Sequence, residues 1–167
     1  MCRAICRRWR RCSLSISRNR KIPALPTMTD LHDLQRFVLA QDPVYTQVCA
    51  ELAAGAKTSH WMWFVFPQFK ALGRSATAQH YGIASRVEAQ AYWQHPVLGP
   101  RLKECSELVV AVEGRTALQI FRSPDDLKFR SCMTLFAQVA PQEPVFNRAL
   151  AKYFDGEGDA RTLDLLE

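Results

Sequence analysis

Two short stretches hold the residues best suited to binding or transforming a ligand. The first is Lys57-x-Ser59-His60-Trp61-x-Trp63, followed by Gln68 just after Pro67. A lysine beside a serine at a helix start makes an anion pocket, because the first-turn amides have no partner inside the helix and the ammonium adds charge. The competing reading is local: Ser59 only caps the helix and His60 is a satisfied, half-buried ring. Trp61 and Trp63 offer flat faces for stacking a base or another planar group, or else they are core. Two positions apart on a helix, they point about 200° from each other, so one can be buried while the other lines a pocket. Gln68 then falls at the rim, where its side chain can read an amide or a hydroxyl. The second stretch is Asp125-Asp126-x-Lys128, with Ser131 one turn on. Carboxylates at the positive end of a helix stabilise that helix, and this alone accounts for the two aspartates. It leaves Lys128 and Ser131 unexplained, and a cleft faced by Asp126 or Lys128 would explain them.

The elements that must position these residues read as helices throughout. Asp30 is expected to cap a helix with Leu31, Leu34, Phe37 and Val38 on one face, a spacing of three and four. Asp42-Pro43 reads as the cap and first residue of the next helix, with Tyr45, Val48, Cys49 and Leu52 as its stripe and Gly55 at its end. Ser59 is expected to cap a buried segment, His60–Gln68, whose aromatic run suits a helix or a buried strand; its helical neighbours favour helix, broken or kinked by Pro67. Ser75 opens a short helix through Tyr81, and Ser85 with Glu88 reads as a capping box. A longer helix carries Leu98, Leu102, Cys105, Leu108 and Val109. Thr116 caps a single turn, and Ser123-Pro124-Asp125-Asp126 is a start signal for a helix that Pro141 stops. A further helix bears Val145, Phe146, Leu150, Tyr153 and Phe154, ended by Gly156, before a terminal turn over 162–166. No stretch alternates with period two, so the expected fold class is all-α: a compact multihelical bundle with short connections, over residues 28–167.

The residues also carry a resemblance. Asp33-Leu34-Gln35-Arg36-Phe37-Val38-Leu39-Ala40-Gln41, Gly55-x-Lys57-x-Ser59-His60-Trp61-Met62-Trp63-Phe64-x-Phe66-Pro67-Gln68, His95-Pro96-Val97-Leu98-Gly99, Asp125-Asp126-x-Lys128 and Ser131-x-Met133-Thr134-Leu135-Phe136 together resemble the family known as domain of unknown function 1810, over about residues 30–166. The resemblance implies a multihelical fold and no particular activity. Some members carry a calpastatin-like label, but segments of that inhibitor type are polar and disordered, and this domain is neither.

Charge and cysteines divide the chain. Residues 1–27 hold eight basic and no acidic residues, leaving 14 basic against 16 acidic in the remainder, a net of −2. The overall +6 is therefore no basic face on the domain itself. Three readings compete for this leader. It is a start-site artefact with Met28 as initiator, a transit peptide, or a basic arm for nucleic acid or anionic lipid; the first is favoured, because the stretch has no helical or strand periodicity. Cys49, Cys105 and Cys132 sit inside apolar stripes at wide spacing, which points to free thiols in a reducing, cytoplasmic compartment. No apolar run approaches a membrane span. His32, His60, His80 and His95 match no metal-ligand spacing, and no phosphate loop or other cofactor motif is present, so neither metal nor cofactor is expected.

Two functions fit this pattern. One is a binding module, or small enzyme, for a phosphate-bearing, nucleotide-like ligand held by Lys57, Ser59, Trp61 or Trp63, Gln68 and Lys128; a hydrolytic version would compare, at the level of fold only, with helical glycohydrolases acting on ADP-ribose adducts. The alternative is a protein-interaction module that docks a partner through an exposed aromatic patch. A pocket with convergent polar groups favours the first, and a flat apolar patch the second.

Overall fold

In a computed structural model, the structure describes residues 31–167; the leader, Met28 and the expected Asp30 cap lie outside them. The described chain forms α1 (Gln35–Gln41), α2 (Tyr45–Ala53), α3 (Met62–Val65), a 3-10 turn (Lys70–Leu72), α4 (Ala76–His80), α5 (Arg86–Gln94), α6 (Leu98–Ala111), α7 (Ala117–Phe121), α8 (Asp125–Val139), α9 (Pro144–Phe154) and α10 (Ala160–Asp164). Among the described residues no strand forms, and the one isolated bridge pairs Phe69 with Ile83. The fold is all-α.

α8 is the central element, packed against α5, α7, α9 and α10, while α6 lies against α2, α5 and α9. Phe129, Cys132, Met133, Leu135 and Phe136 of α8 are fully buried. Aromatic contacts knit this helix to its surroundings: Phe129 meets Phe66 edge-on at 5.0 Å and stacks on Phe121 at 4.7 Å between ring centroids. Such pairs add about 0.5–1.5 kcal/mol beyond the area they bury. The Trp61–Phe66 run thus belongs to the core, with Trp61, Met62, Val65 and Phe66 all buried.

Several boundaries follow the sequence signals. Ser75 caps α4 by accepting from the Ala78 amide, and Thr116 with Gln119 forms a full capping box on α7. Gly55, at φ +62°, ends α2 in a Schellman arrangement, its amide bonding to the Leu52 carbonyl and that of Ala56 to Glu51, which leaves the left-handed position to the residue type that adopts it freely. Gly99 is needed for another reason: a Cβ there would lie 2.0 Å from the Trp93 carbonyl oxygen.

Other boundaries differ. Asp42 does not start α2; it closes α1 and pairs with Arg101 at 2.9 Å. Ser123 is not the cap of α8, whose first turn begins after Pro124 with no side-chain cap. Ser85 caps α5, but Glu88 turns to the Ala84 amide and to Arg36, completing only half of the expected box. The largest difference is at 60–68, where a single turn, Met62–Val65, replaces the longer helix. Pro67 has no N–H to give the Trp63 carbonyl, and the Phe64 carbonyl accepts instead from the buried Gln41 side chain at 2.7 Å. Beyond Pro67 the chain runs extended, exchanging bonds between Gln68, Lys70 and Ile83.

Candidate functional site

The start of the tryptophan segment is organised by a residue outside it. Glu51, buried at the end of α2, receives the Ser59 hydroxyl at 2.7 Å, the Trp61 indole Nε1–H at 2.8 Å, the Thr58 amide at 2.9 Å, the Gln47 side-chain amide at 3.0 Å and the Ser59 amide at 3.2 Å. Burial alone would push this carboxyl up. The Ser59 hydroxyl, the Thr58 amide and the Trp61 indole outweigh it and hold the group well below the usual carboxylate range. Ser59 is therefore no helix cap. Ser59 and Trp61 serve to pin the loop, and the turn that follows then carries Trp63 outward.

A second charged unit joins the two stretches singled out above. Asp125 bridges two lysines, with Lys57 Nζ at 2.7 Å from one oxygen and Lys128 Nζ at 2.7 Å from the other. The Lys57 side chain is only 8% exposed, and its ammonium lies 5.2 Å from the Trp61 ring. Burial raises the Asp125 carboxyl, but bonds to Lys128 and Lys57 exceed that effect and leave it below its ordinary value. Lys128 Nζ sits over the Trp63 ring at 4.7 Å, a cation–π contact that orients both groups.

Lys128 and Trp63 face a cavity of about 470 Å³, within the size range of small-molecule sites. Gln68, Leu72, Gly73, Ser75 and Ala78 form one wall, and Pro124, Leu127, Arg130 and Ser131 another; Arg74, Asp159 and Arg161 complete the lining. Four cations thus face one carboxylate, on a domain whose net charge outside the leader is −2. A much smaller hollow sharing Trp63, Gln68 and Lys128 with the cavity is lined also by Phe66 and Tyr81.

Of the nine residues the sequence nominated, Trp63, Gln68, Lys128 and Ser131 meet at this cavity. Lys57 lies behind it, linked through Asp125. Ser59 and Trp61 are committed to Glu51. His60 is exposed and Asp126 half-buried, and neither lines the cavity. Ser131 has a structural partner as well: its hydroxyl lies 3.1 Å from both the Leu127 carbonyl and Asp159. Asp126 leaves its Oδ1 buried without a hydrogen-bond partner in the described residues. His95 accepts from the Val97 and Leu98 amides at the start of α6.

Sequence reasoning missed Glu51, Arg74, Arg130, Asp159 and Arg161. Glu51 falls on a polar face of α2 in any periodic reading, and its five donors come mainly from a loop. Arg74 and Arg161 flank caps, and nothing in their local spacing marks them.

Among the described residues no group of three or more His, Cys, Asp or Glu side chains is placed to hold a metal ion, and no helix is long and apolar enough to cross a membrane. Cys49, Cys105 and Cys132 are free thiols.

No curated protein matches the chain. Among solved structures, it is similar to the conserved hypothetical protein Rv1873 from Mycobacterium tuberculosis, with 56% sequence identity and a TM-score of 0.81, over 82% of this chain and 98% of that one. The family described as "Protein of unknown function (DUF1810)" matches residues 31–166. With nearly every described residue inside that match, the chain belongs to the DUF1810 family.

Proposed function

We propose that this chain binds a phosphate-bearing ligand with a flat ring, of the nucleotide kind, in the cavity between α8 and the 63–78 segment. The observation that carries the reading is the concentration of Arg74, Lys128, Arg130 and Arg161 around one half-buried tryptophan on a domain that is otherwise slightly acidic. A general basic surface would attract polyanions without discrimination. Cations gathered in one concavity beside an aromatic face suit a compact anion attached to a planar group. The three thiols fit the reducing, cytoplasmic setting read from the sequence.

The reading is of binding rather than catalysis. Asp125 is occupied by two lysines, and Asp159 by Ser131 and by the cap of α10, so neither carboxylate stands free as a base. An interaction module with an exposed aromatic patch has less support: among the described residues the large exposed apolar side chains are leucines and a valine, with no aromatic among them.

A thermal-shift series with nucleoside mono- and diphosphates, ADP-ribose and inorganic phosphate tests the reading. At a hundredfold excess over Kd, a ligand stabilises the folded state by about 2.7 kcal/mol, a rise in Tm of roughly 6–10 °C for a domain of this size. The same ligand should lose about 1–3 kcal/mol of binding when Trp63 is replaced by alanine. Absence of a shift with every compound at millimolar concentration would remove the proposal.

A further inference from the structure

The four cations on the cavity wall are not equivalent. Lys128 is paired with Asp125 and lies over Trp63. Arg130 donates to the Glu157 and Gly158 carbonyls at 3.1 Å each. The side chains of Arg74 and Arg161, by contrast, make no hydrogen bond or ion pair within the described residues, and both are exposed. They come from distant parts of the chain, Arg74 just before the α4 cap and Arg161 from α10.

The placing of Arg161 is itself built. Arg130 holds the loop before α10, the Thr134 hydroxyl accepts the Asp159 amide at 2.8 Å, and Ser131 reaches the Asp159 carboxylate, which in turn caps α10 through the Thr162 amide. Arg130, Ser131 and Thr134 therefore clamp a five-residue helix onto α8, and that helix delivers an uncommitted guanidinium to the cavity.

From this we infer that Arg74 and Arg161 grip a terminal phosphate, so that the ligand is a phosphate monoester such as a nucleoside 5′-phosphate, rather than a compound whose phosphates are all internal diesters. The inference rests on the cavity reading above and narrows it. A terminal phosphate carries about −1.5 to −2 charge at pH 7 and three free oxygens, which matches two uncompensated cations whose planar forks can contact all three oxygens by sharing one between them. An internal diester offers two free oxygens and a single charge, leaving one guanidinium without a partner.

Calorimetric titration of the full chain with adenosine 5′-monophosphate and with its phosphate methyl ester, between pH 5 and 8, separates the possibilities. At pH 7.5 the monoester should bind wild type at least tenfold more tightly than the methyl ester. That preference should shrink as pH falls through about 6, where the monoester dianion takes up a proton and falls to a single negative charge. Arg74→Ala and Arg161→Ala should each weaken monoester binding about tenfold while changing ester binding little, and their unaltered urea midpoints would show that the fold is intact. If wild type binds the two compounds equally, or if both variants bind the monoester as wild type does, the clamp is wrong while the cavity reading survives. If neither compound binds wild type, both fall.

Discussion

Replacing Glu51 with alanine should lower the stability of the folded chain by about 3 kcal/mol or more, read as a fall in the urea midpoint at constant m-value. Glu51 is the shared acceptor for five donors, and one of them, the Trp61 indole N–H, belongs to a side chain only 1% exposed. Without the carboxylate that N–H has no water to turn to, and an orphaned buried donor alone costs about 1–3 kcal/mol. The charge-assisted bonds to Ser59 and Thr58 add to the loss. Glu51→Gln should lose nearly as much, because one carboxylate oxygen becomes an NH2 group facing other donors. The effect also has a pH signature. Glu51 stays ionised in the folded chain to a pH well below its ordinary value of 4.5, so on acidification the unfolded chain takes up the proton first. Its contribution is fully present above about pH 5 and is lost as pH falls below 4.5. Asp125 acts in the same direction. Glu51→Gln should therefore flatten the acid limb of the stability curve without abolishing it, and an acid limb identical to wild type would contradict the role given to this carboxylate.

The second large effect concerns the Lys57–Asp125–Lys128 unit. Asp125→Ala should cost about 3–5 kcal/mol, the range for breaking a buried pair from one side. The reason is Lys57: its side chain is 8% exposed and Asp125 is its salt-bridge partner, so the ammonium would remain in the interior without a counter-ion. Lys128, at 20% exposure, can turn to water. Removing both buried charges should therefore be gentler than removing one. The double variant Lys57→Met, Asp125→Leu should recover most of the loss, since well-packed apolar replacements of buried pairs are often nearly neutral. A double variant as unstable as Asp125→Ala would show that the pair is not the source of the effect.

These two units mark where the sequence was readable and where it was not. Elements whose signal is local came through. The 3.6-residue stripe of α6, the Thr116 cap and the glycine after α2 all act within a few residues of themselves, so their physics is visible in a short window. Ser59 shows the opposite case. As a serine before an apolar run it has the form of a cap, yet its hydroxyl is claimed by Glu51 eight positions away in sequence. The shortening of the helix at 62–65 has the same origin, since Gln41 reaches the Phe64 carbonyl from another helix. At the cavity, Lys128 and Ser131 could be nominated because capping left them unexplained, and Trp63 as one of two tryptophans pointing apart, of which only one need be core. Arg74 and Arg161 could not, because an exposed arginine in a loop or a short helix needs no explanation until the tertiary fold brings two of them to one wall. The position of α10 in turn depends on Arg130, Ser131 and Thr134 of α8, the last two of them buried polar side chains.

The cavity reading makes Trp63 and Trp61 behave differently toward a ligand although they stand two residues apart. Trp63 faces the cavity with Lys128 above its ring, whereas Trp61 is buried with its indole N–H held by Glu51. Two-dimensional NMR of the indole N–H signals during titration with adenosine 5′-monophosphate follows both at once. The Trp63 signal should move progressively and saturate, with the Trp61 signal nearly fixed. A Trp63 signal unmoved at millimolar ligand, or changes confined to residues outside the cavity, would contradict the assignment of this site.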